Sequence, residues 1–241
     1  MKYFNRHYWM RKLFVNSFFS KILGQNLLNK IVFNAIYKSN HWNKSKKFDH
    51  KEDSFSGPGS VPNSKQTNNL IIELTNFFKE NDIKTFLDAP CGDCAWISKL
   101  FLSDIQYTGI DIVEDLITIN KEKYSNYKNI NFYNKDLLNF NNYDSYDFVL
   151  LRDFFIHLPL KSILKILENL KNSKCKYFAF NNYSNIVSNK EISTGQHRKL
   201  NLTIEPFNLK KPDFKIQEIK NDNFPDAKNI DNYIYIYKNR F

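Results

Sequence analysis

The sequence predicts an α/β fold, with a mostly parallel sheet covered by helices on both faces. Short apolar runs, several ending in a carboxylate, recur through the middle of the chain, and amphipathic helical stretches alternate with them. Strand and helix in alternation imply right-handed crossovers, and a sheet buried on both sides needs uniformly apolar strands of this kind. With only 6 Gly and 7 Pro in 241 residues, the chain also has few of the residues that break regular elements.

The elements follow in order. Met1 to Trp42 begins with basic residues and carries Phe14-Val15, Phe18-Phe19, Ile22-Leu23, Leu27-Leu28 and Ile31-Val32-Phe33. That is a helical period with Lys and Arg between, without the continuous apolar run or cleavage site of a signal peptide. One or two amphipathic helices packed on the main domain are expected, and a basic helix on an anionic membrane surface is the rival. Residues 1–53 therefore read as a basic helical extension and 54–241 as the main domain. Ser54 to Ser64 is rich in Gly, Pro and Ser and reads as loop. Asn63 or Ser64 can cap the next helix, whose Leu70, Ile71, Leu74, Phe77 and Phe78 share a face.

Thr85-Phe86-Leu87 is the first strand, ending at Asp88, with a helix expected from about Ala95 to Leu102. Tyr107 to Ile110 is the second, ending at Asp111, with a helix from about Glu114 to Tyr124. Ile130 to Tyr133 is the third, ending near Asp136. Phe148 to Leu151 is the fourth, running into Arg152-Asp153, with a helix after Pro159. Tyr177 to Phe180 is the fifth. A long polar stretch, residues 181–213, then reads as an acceptor-side loop, and Phe214–Ile219 and Tyr233–Tyr237 close the chain as a hairpin on the sheet edge.

Composition excludes several classes. The 42% apolar and 16% aromatic content is far from that of a disordered chain. No apolar stretch reaches the roughly 18–20 residues of a membrane span. Three cysteines make no disulfide scaffold and fit a reducing cytoplasm, and the scattered histidines lack metal-ligand spacing, so no metal is expected. The net charge of +10 is spread along the chain, which reads as a solvated surface more than a nucleic-acid footprint and would also favour an acidic or phosphorylated small acceptor.

In an open α/β sheet the ligand binds at the carboxyl ends of the strands. Here those ends carry Asp88, Ala89, Pro90, Cys91, Gly92 and Asp93, then Asp111 with Ile112, then Asp136-Leu137, then Arg152, Asp153 and His157. Asp111 lies 23 residues after Asp88, near the interval expected for a carboxylate that accepts both ribose hydroxyls. Asp136 could receive an adenine amino group while Leu137 covers the ring. The loop has one glycine where a dinucleotide fingerprint needs three, and Pro90 and Asp93 would hinder a pyrophosphate. A phosphate-free nucleoside suits it better, and S-adenosylmethionine is such a ligand. Cys91 and Cys94 could alternatively form a redox pair, Asp111 could be a helix cap, and Trp96 could be core. Gly59 and Ser60 sit in a loop that is either an inert linker or a lid over the ligand.

The series FLDAPCGD, GIDIV, KDLL and DFVLLRDFFIHLP resembles the successive motifs of class I S-adenosylmethionine-dependent methyltransferases, with DAPCGD in place of D-x-G-x-G-x-G. One bacterial subfamily is also similar in SGPGS, in Trp96 after DAPCGD, in RD-x3-HL and in the stretch NKEISTGQHRKLNL…PF, so the resemblance spans about Ser54 to Phe207. It implies a Rossmann-like seven-stranded sheet with an antiparallel last strand, and a cofactor surrounded by Asp88, Ala89, Gly92, Asp111, Ile112, Asp136, Leu137 and the Arg152 backbone. It supplies the reaction and not the acceptor. For a hydroxyl acceptor, His157 or Asp153 is the candidate base, with a structural histidine as the alternative. His197 and Arg198 are acceptor-side candidates, Arg198 suiting a carboxylate or phosphate. The expected acceptor is small or carrier-linked, such as a sugar hydroxyl or phosphorylated sugar of surface-polysaccharide synthesis. An RNA or protein methyltransferase, or a non-catalytic cofactor-binding partner, are the competing readings.

Overall fold

The computed structural model describes residues 24–43, 54–100, 105–218 and 231–239. The helical period expected over residues 1–23 lies outside these. Four helices are described: α1 (Gln25–Lys38), α2 (Lys65–Glu80), α3 (Glu114–Lys123) and α4 (Leu160–Lys171). Seven strands form one sheet: β1 (Thr85–Asp88), β2 (Gln106–Asp111), β3 (Ile130–Asn134), β4 (Phe148–Leu151), β5 (Tyr177–Asn182), β6 (Phe214–Gln217) and β7 (Tyr233–Lys238). Their order is β3-β2-β1-β4-β5-β7-β6, and β7 runs against both neighbours. The order reverses between β2-β1 and β4, so the tips of β1 and β4 flank the crevice that such a reversal opens.

The two-residue period of the strands divides the core. Leu87, Val149, Leu151, Phe178 and Phe180 join the α4 side, whereas Phe86, Phe148, Leu150, Tyr177 and Ala179 join the α2 side. Helix α2 starts where Ser64 accepts a hydrogen bond from the Thr67 N–H at 3.2 Å. After β1 the described residues up to Leu100 form a turn and a 3-10 helix at Ile97–Leu100, in place of the helix expected from Ala95. Trp96, Ile97 and Leu100 are buried there, and Asp93, three residues before Trp96, is tied to residues 54–56, so packing sets the conformation more than helical period does.

Helix α1 buries Leu28, Val32, Phe33 and Ile36 in the cluster that holds Leu87, Ala89 and Ile110. Each such side chain contributes about 1.5–3 kcal/mol of burial as an upper estimate. Polar contacts fix the helix further. Gln25 donates to Thr194 Oγ1 at 2.8 Å, and Thr194 Oγ1 donates to Asn29 at 2.9 Å. Gly195, at φ +79°, lies so close that a Cβ there would sit 2.5 Å from a Val32 methyl. The apolar face of α1 is thus spent on the protein interior. No helix among the described residues is long and apolar enough to cross a membrane.

Candidate active site

A pocket lies at the β1 and β4 tips, lined on the sheet side by Asp88, Pro90, Cys91, Gly92, Asp111 and Ile112. Its volume is about 80 Å³. Asp88 and Asp111 are 3% and 4% exposed. Asp111 is held by backbone donors, accepting from Gly92 N–H at 3.1 Å and Val113 N–H at 2.9 Å. Burial pushes its pKa up to about 6, against those two hydrogen bonds. Asp88 accepts from the Tyr107 hydroxyl at 3.0 Å, and burial pushes it up to about 7, with Tyr107 and Arg152 opposing. Two raised carboxylates at a pocket wall favour a ligand carrying positive charge and disfavour a diphosphate.

The DAPCGD loop needs Gly92 at its turn. Its φ is +54°, and a Cβ there would come within 2.2 Å of the Ser56 hydroxyl oxygen. Asp93, expected at the cofactor, does not line the pocket itself. Its carboxylate accepts from Ser54 Oγ, from Phe55 N–H, both at 2.7 Å, and from Ser56 Oγ at 3.1 Å. It therefore staples the loop over residues 54–60 to the sheet rim, which also makes that loop more than a linker. Ser60 lines the pocket, whereas Gly59 lines the neighbouring cavity and its carbonyl accepts from Arg152 at 2.8 Å.

Ala89 and Leu137 are packed in the apolar core, and neither lines the pocket. Asp136 lies outside the pocket wall as well, but its Oδ2 is buried without a hydrogen-bond partner while Oδ1 accepts from Leu138 N–H at 3.0 Å. An unmatched buried acceptor fits an amino group such as that of adenine. Arg152 is buried, with its guanidinium 5.0 Å from the Trp96 ring and its Nε 2.6 Å from Glu218. Burial works against its charge, yet Glu218 and Asp153 hold its pKa above the ordinary value. Glu218, pushed up by burial and pulled back by Arg152, also accepts from Asn181 and Asn232 at 3.1 and 2.6 Å.

The opposite wall comes from the N-terminal segment: Phe33 and Tyr37 of α1, and Trp42 in the 3-10 turn His41–Asn43. Tyr37 hydroxyl and Ser56 Oγ are 3.2 Å apart, and Trp42 stacks on His157 with ring centroids at 5.0 Å. Sequence reasoning assigned none of these three to the site. The i, i+4 spacing of Phe33 and Tyr37 marks one helical face but cannot say what that face covers.

A second cavity of about 290 Å³ adjoins the first and shares Trp42, Ser56, Asp153 and His157 with it. Its other walls include Gln66, Tyr183, His197, Lys199, Glu218 and Asn232. Asp153 has φ +52°, with its N–H donating to Asn181 at 2.6 Å and its carboxylate 3.5 Å from Arg152. His157 Nδ1 lies 2.9 Å from the Gln196 carbonyl, so Nδ1 carries the proton and donates, leaving Nε2 as acceptor. Burial lowers its pKa to about 4, against that hydrogen bond. It is neutral at neutral pH and a weaker base than a free imidazole.

The expected acceptor-side pair separates. His197 lines the second cavity, but Arg198 turns inward, donating to the Phe155 carbonyl at 3.3 Å. An extended chain alternates its side chains, so the residues that share the cavity are His197 and Lys199. Cys91, Cys94 and Cys175 are free and buried, and burial pushes the Cys91 and Cys94 thiols up, which removes the basis for a reactive redox pair. Among the described residues no cluster of His, Cys, Asp and Glu could hold a metal.

Residues 86–173 match the family described as a methyltransferase domain. Among solved structures, the N-methyltransferase NodS from Bradyrhizobium japonicum WM9 aligns with a TM-score of 0.52 and 12% identity, over 74% of this chain and 99% of that one. Magnesium protoporphyrin IX methyltransferase from Synechocystis PCC 6803 aligns at 0.49 and 15%, over 64% and 72%. The methyltransferase domain of a bacterial Hen1 aligns at 0.45 and 14%, over 49% and 67%. No curated protein matches the sequence. At 12% identity the NodS likeness speaks for the fold alone. Residues 86–173 are thus similar to a methyltransferase domain, and the seven-stranded sheet that carries them has a Rossmann-like topology.

Proposed function

We propose that this chain transfers the methyl group of S-adenosylmethionine to a hydroxyl of a small or carrier-linked acceptor, a sugar or phosphorylated sugar of surface-polysaccharide synthesis. The observation that carries the reading is the junction of the two cavities at Asp153 and His157, beside the carboxylate-lined pocket. The family match over residues 86–173 supports the reaction class. Asp111 would accept the ribose hydroxyls, Asp136 the adenine amino group, and Asp88 would face the ligand's positive end. The cofactor supplies a methyl group already activated on a sulfonium.

The protein's task is then orientation and water exclusion, which the aromatic wall of Phe33, Tyr37 and Trp42 supports. Asp153, in the wall shared by the two cavities, would take up the acceptor's hydroxyl proton. His157, neutral and stacked under Trp42, offers its Nε2 to the acceptor and orients it. At about 80 Å³ the pocket is smaller than the roughly 300 Å³ at the low end of ligand sites, and it adjoins the second cavity of about 290 Å³.

The test is incubation of the full chain with methyl-labelled S-adenosylmethionine and a bacterial metabolite extract, with labelled products identified by mass spectrometry. A labelled sugar or sugar phosphate is expected. Label transferred only to RNA or protein would overturn the acceptor assignment, and no calorimetric binding of S-adenosylmethionine would overturn the whole reading.

A further inference from the structure

We propose that the second cavity reads an anionic substituent of the acceptor, a phosphate monoester, through Lys199, with His197 beside it and Asp153 at the opposite, reacting end. The inference rests on the methyl-transfer reading for what happens at Asp153, but not for the anion subsite itself. It starts from how the loop is pinned. Tyr183 N–H donates to the Leu200 carbonyl at 2.8 Å and Arg198 N–H to the Ile156 carbonyl at 3.0 Å. These bonds fix the extended chain, so Lys199 and His197 are aimed at the cavity and Arg198 at the interior.

Charge accounting gives the cavity a direction. At its inner end Asp153 and Glu218 share the one guanidinium of Arg152, which leaves that end with an excess of carboxylate. At the rim, Lys199 has no carboxylate within ion-pair distance among the described residues, and its ammonium lies 5.8 Å from the Tyr183 ring. A ligand that matches this polarity donates a hydroxyl proton inward and presents negative charge outward. The Trp42 and Tyr183 rings and the polar side chain of Gln66 line the same cavity. Aromatic faces together with hydrogen-bonding groups suit a hydroxylated ring, and Arg198, the stronger phosphate ligand by type, turns to the Phe155 carbonyl instead.

Because Lys199 is exposed, the expected effect of removing it is modest, about fivefold in affinity. The experiment follows the His157 and His197 ring resonances of the full chain by NMR during titration with glucose 1-phosphate, with glucose, and with inorganic phosphate. Glucose 1-phosphate should give a saturable shift, glucose at equal concentration a weaker one, Lys199→Ala a loss of about fivefold and Lys199→Arg recovery. Equal response to glucose and its phosphate, an unchanged response in Lys199→Ala, or no saturable response to either phosphate would overturn the proposal. Calorimetry with S-adenosylmethionine separates the layers. Cofactor binding without a phosphate response sinks the subsite alone, whereas a phosphate response without cofactor binding sustains the subsite and sinks methyl transfer.

Discussion

The two cavities that meet at Asp153 are built by opposite means. The sheet-side wall of the inner pocket is framed by strand tips, and its Asp111 is locked by two backbone N–H groups, so the geometry of that wall follows from sheet register. The outer cavity is framed by side chains from irregular chain: Trp42 in a 3-10 turn, Tyr183, His197 and Lys199 in the late loop, and Glu218 just past β6. The inner one is about 80 Å³ and the outer about 290 Å³. On the proposed reading the hydrogen-bonded strands would hold the cofactor while the loops define what else enters, because loops can change without disturbing the sheet.

Substitutions can break this division, and the largest effect is expected where the cavities meet. Asp153→Asn keeps the shape and tolerates the left-handed backbone, but removes the carboxylate proposed to accept the proton. Turnover should fall by about 10²–10⁴-fold with S-adenosylmethionine affinity nearly intact, measured by labelled-product formation and calorimetry. A parallel loss of cofactor binding would make Asp153 part of the inner pocket alone. Next is Asp111→Asn, which should weaken cofactor binding about 10–100-fold through a lost charge-assisted hydrogen bond. Unchanged affinity would remove Asp111 from the ribose.

Gly195→Ala probes whether the walls are independent. It adds a Cβ at φ +79° against Val32 and should destabilise the fold by about 1–3 kcal/mol, read as a lower Tm. Because Gly195 buttresses α1 while the following residues line the outer cavity, its variant should weaken both cofactor and acceptor binding. Loss of only one would show that the late loop and α1 act separately.

The smallest effect is in pH. Asp88 and Asp111 have folded pKa values of about 7 and about 6, both raised from 3.8 by burial, so the folded chain holds protons that the unfolded chain has released. Stability from these groups is complete below their unfolded pKa and is lost as pH rises through about 6 to 7. A cationic ligand favours the ionised carboxylates, so its affinity should rise over the same window. The gap in Tm between cofactor-loaded and free protein should therefore widen from about pH 5 to about pH 8. A constant gap would mean that neither carboxylate meets the ligand's charge.

Local pattern was enough wherever an element's own residues decide it. The carboxylates at Asp88 and Asp111 follow from where apolar runs stop, and Ser64 announces α2 by its capping chemistry. The expected helix from Ala95 failed because Asp93 and the buried Trp96 answer to partners distant in sequence, Ser54 to Ser56 and Arg152. Asp93 looked like a ligand carboxylate for the same reason: its type and position were visible, but its direction was not.

What the sequence determined by itself was the alternation of strand and helix and the row of polar residues at the strand ends, because periodicity and turn chemistry act over a few residues. Only the tertiary structure decided that α1 and Trp42 wall the pocket, that Lys199 and not Arg198 faces the outer cavity, and that Arg152 binds Glu218 across 66 residues. Those facts depend on which surfaces meet when the sheet closes, and shape complementarity between distant segments leaves no period in the chain to read.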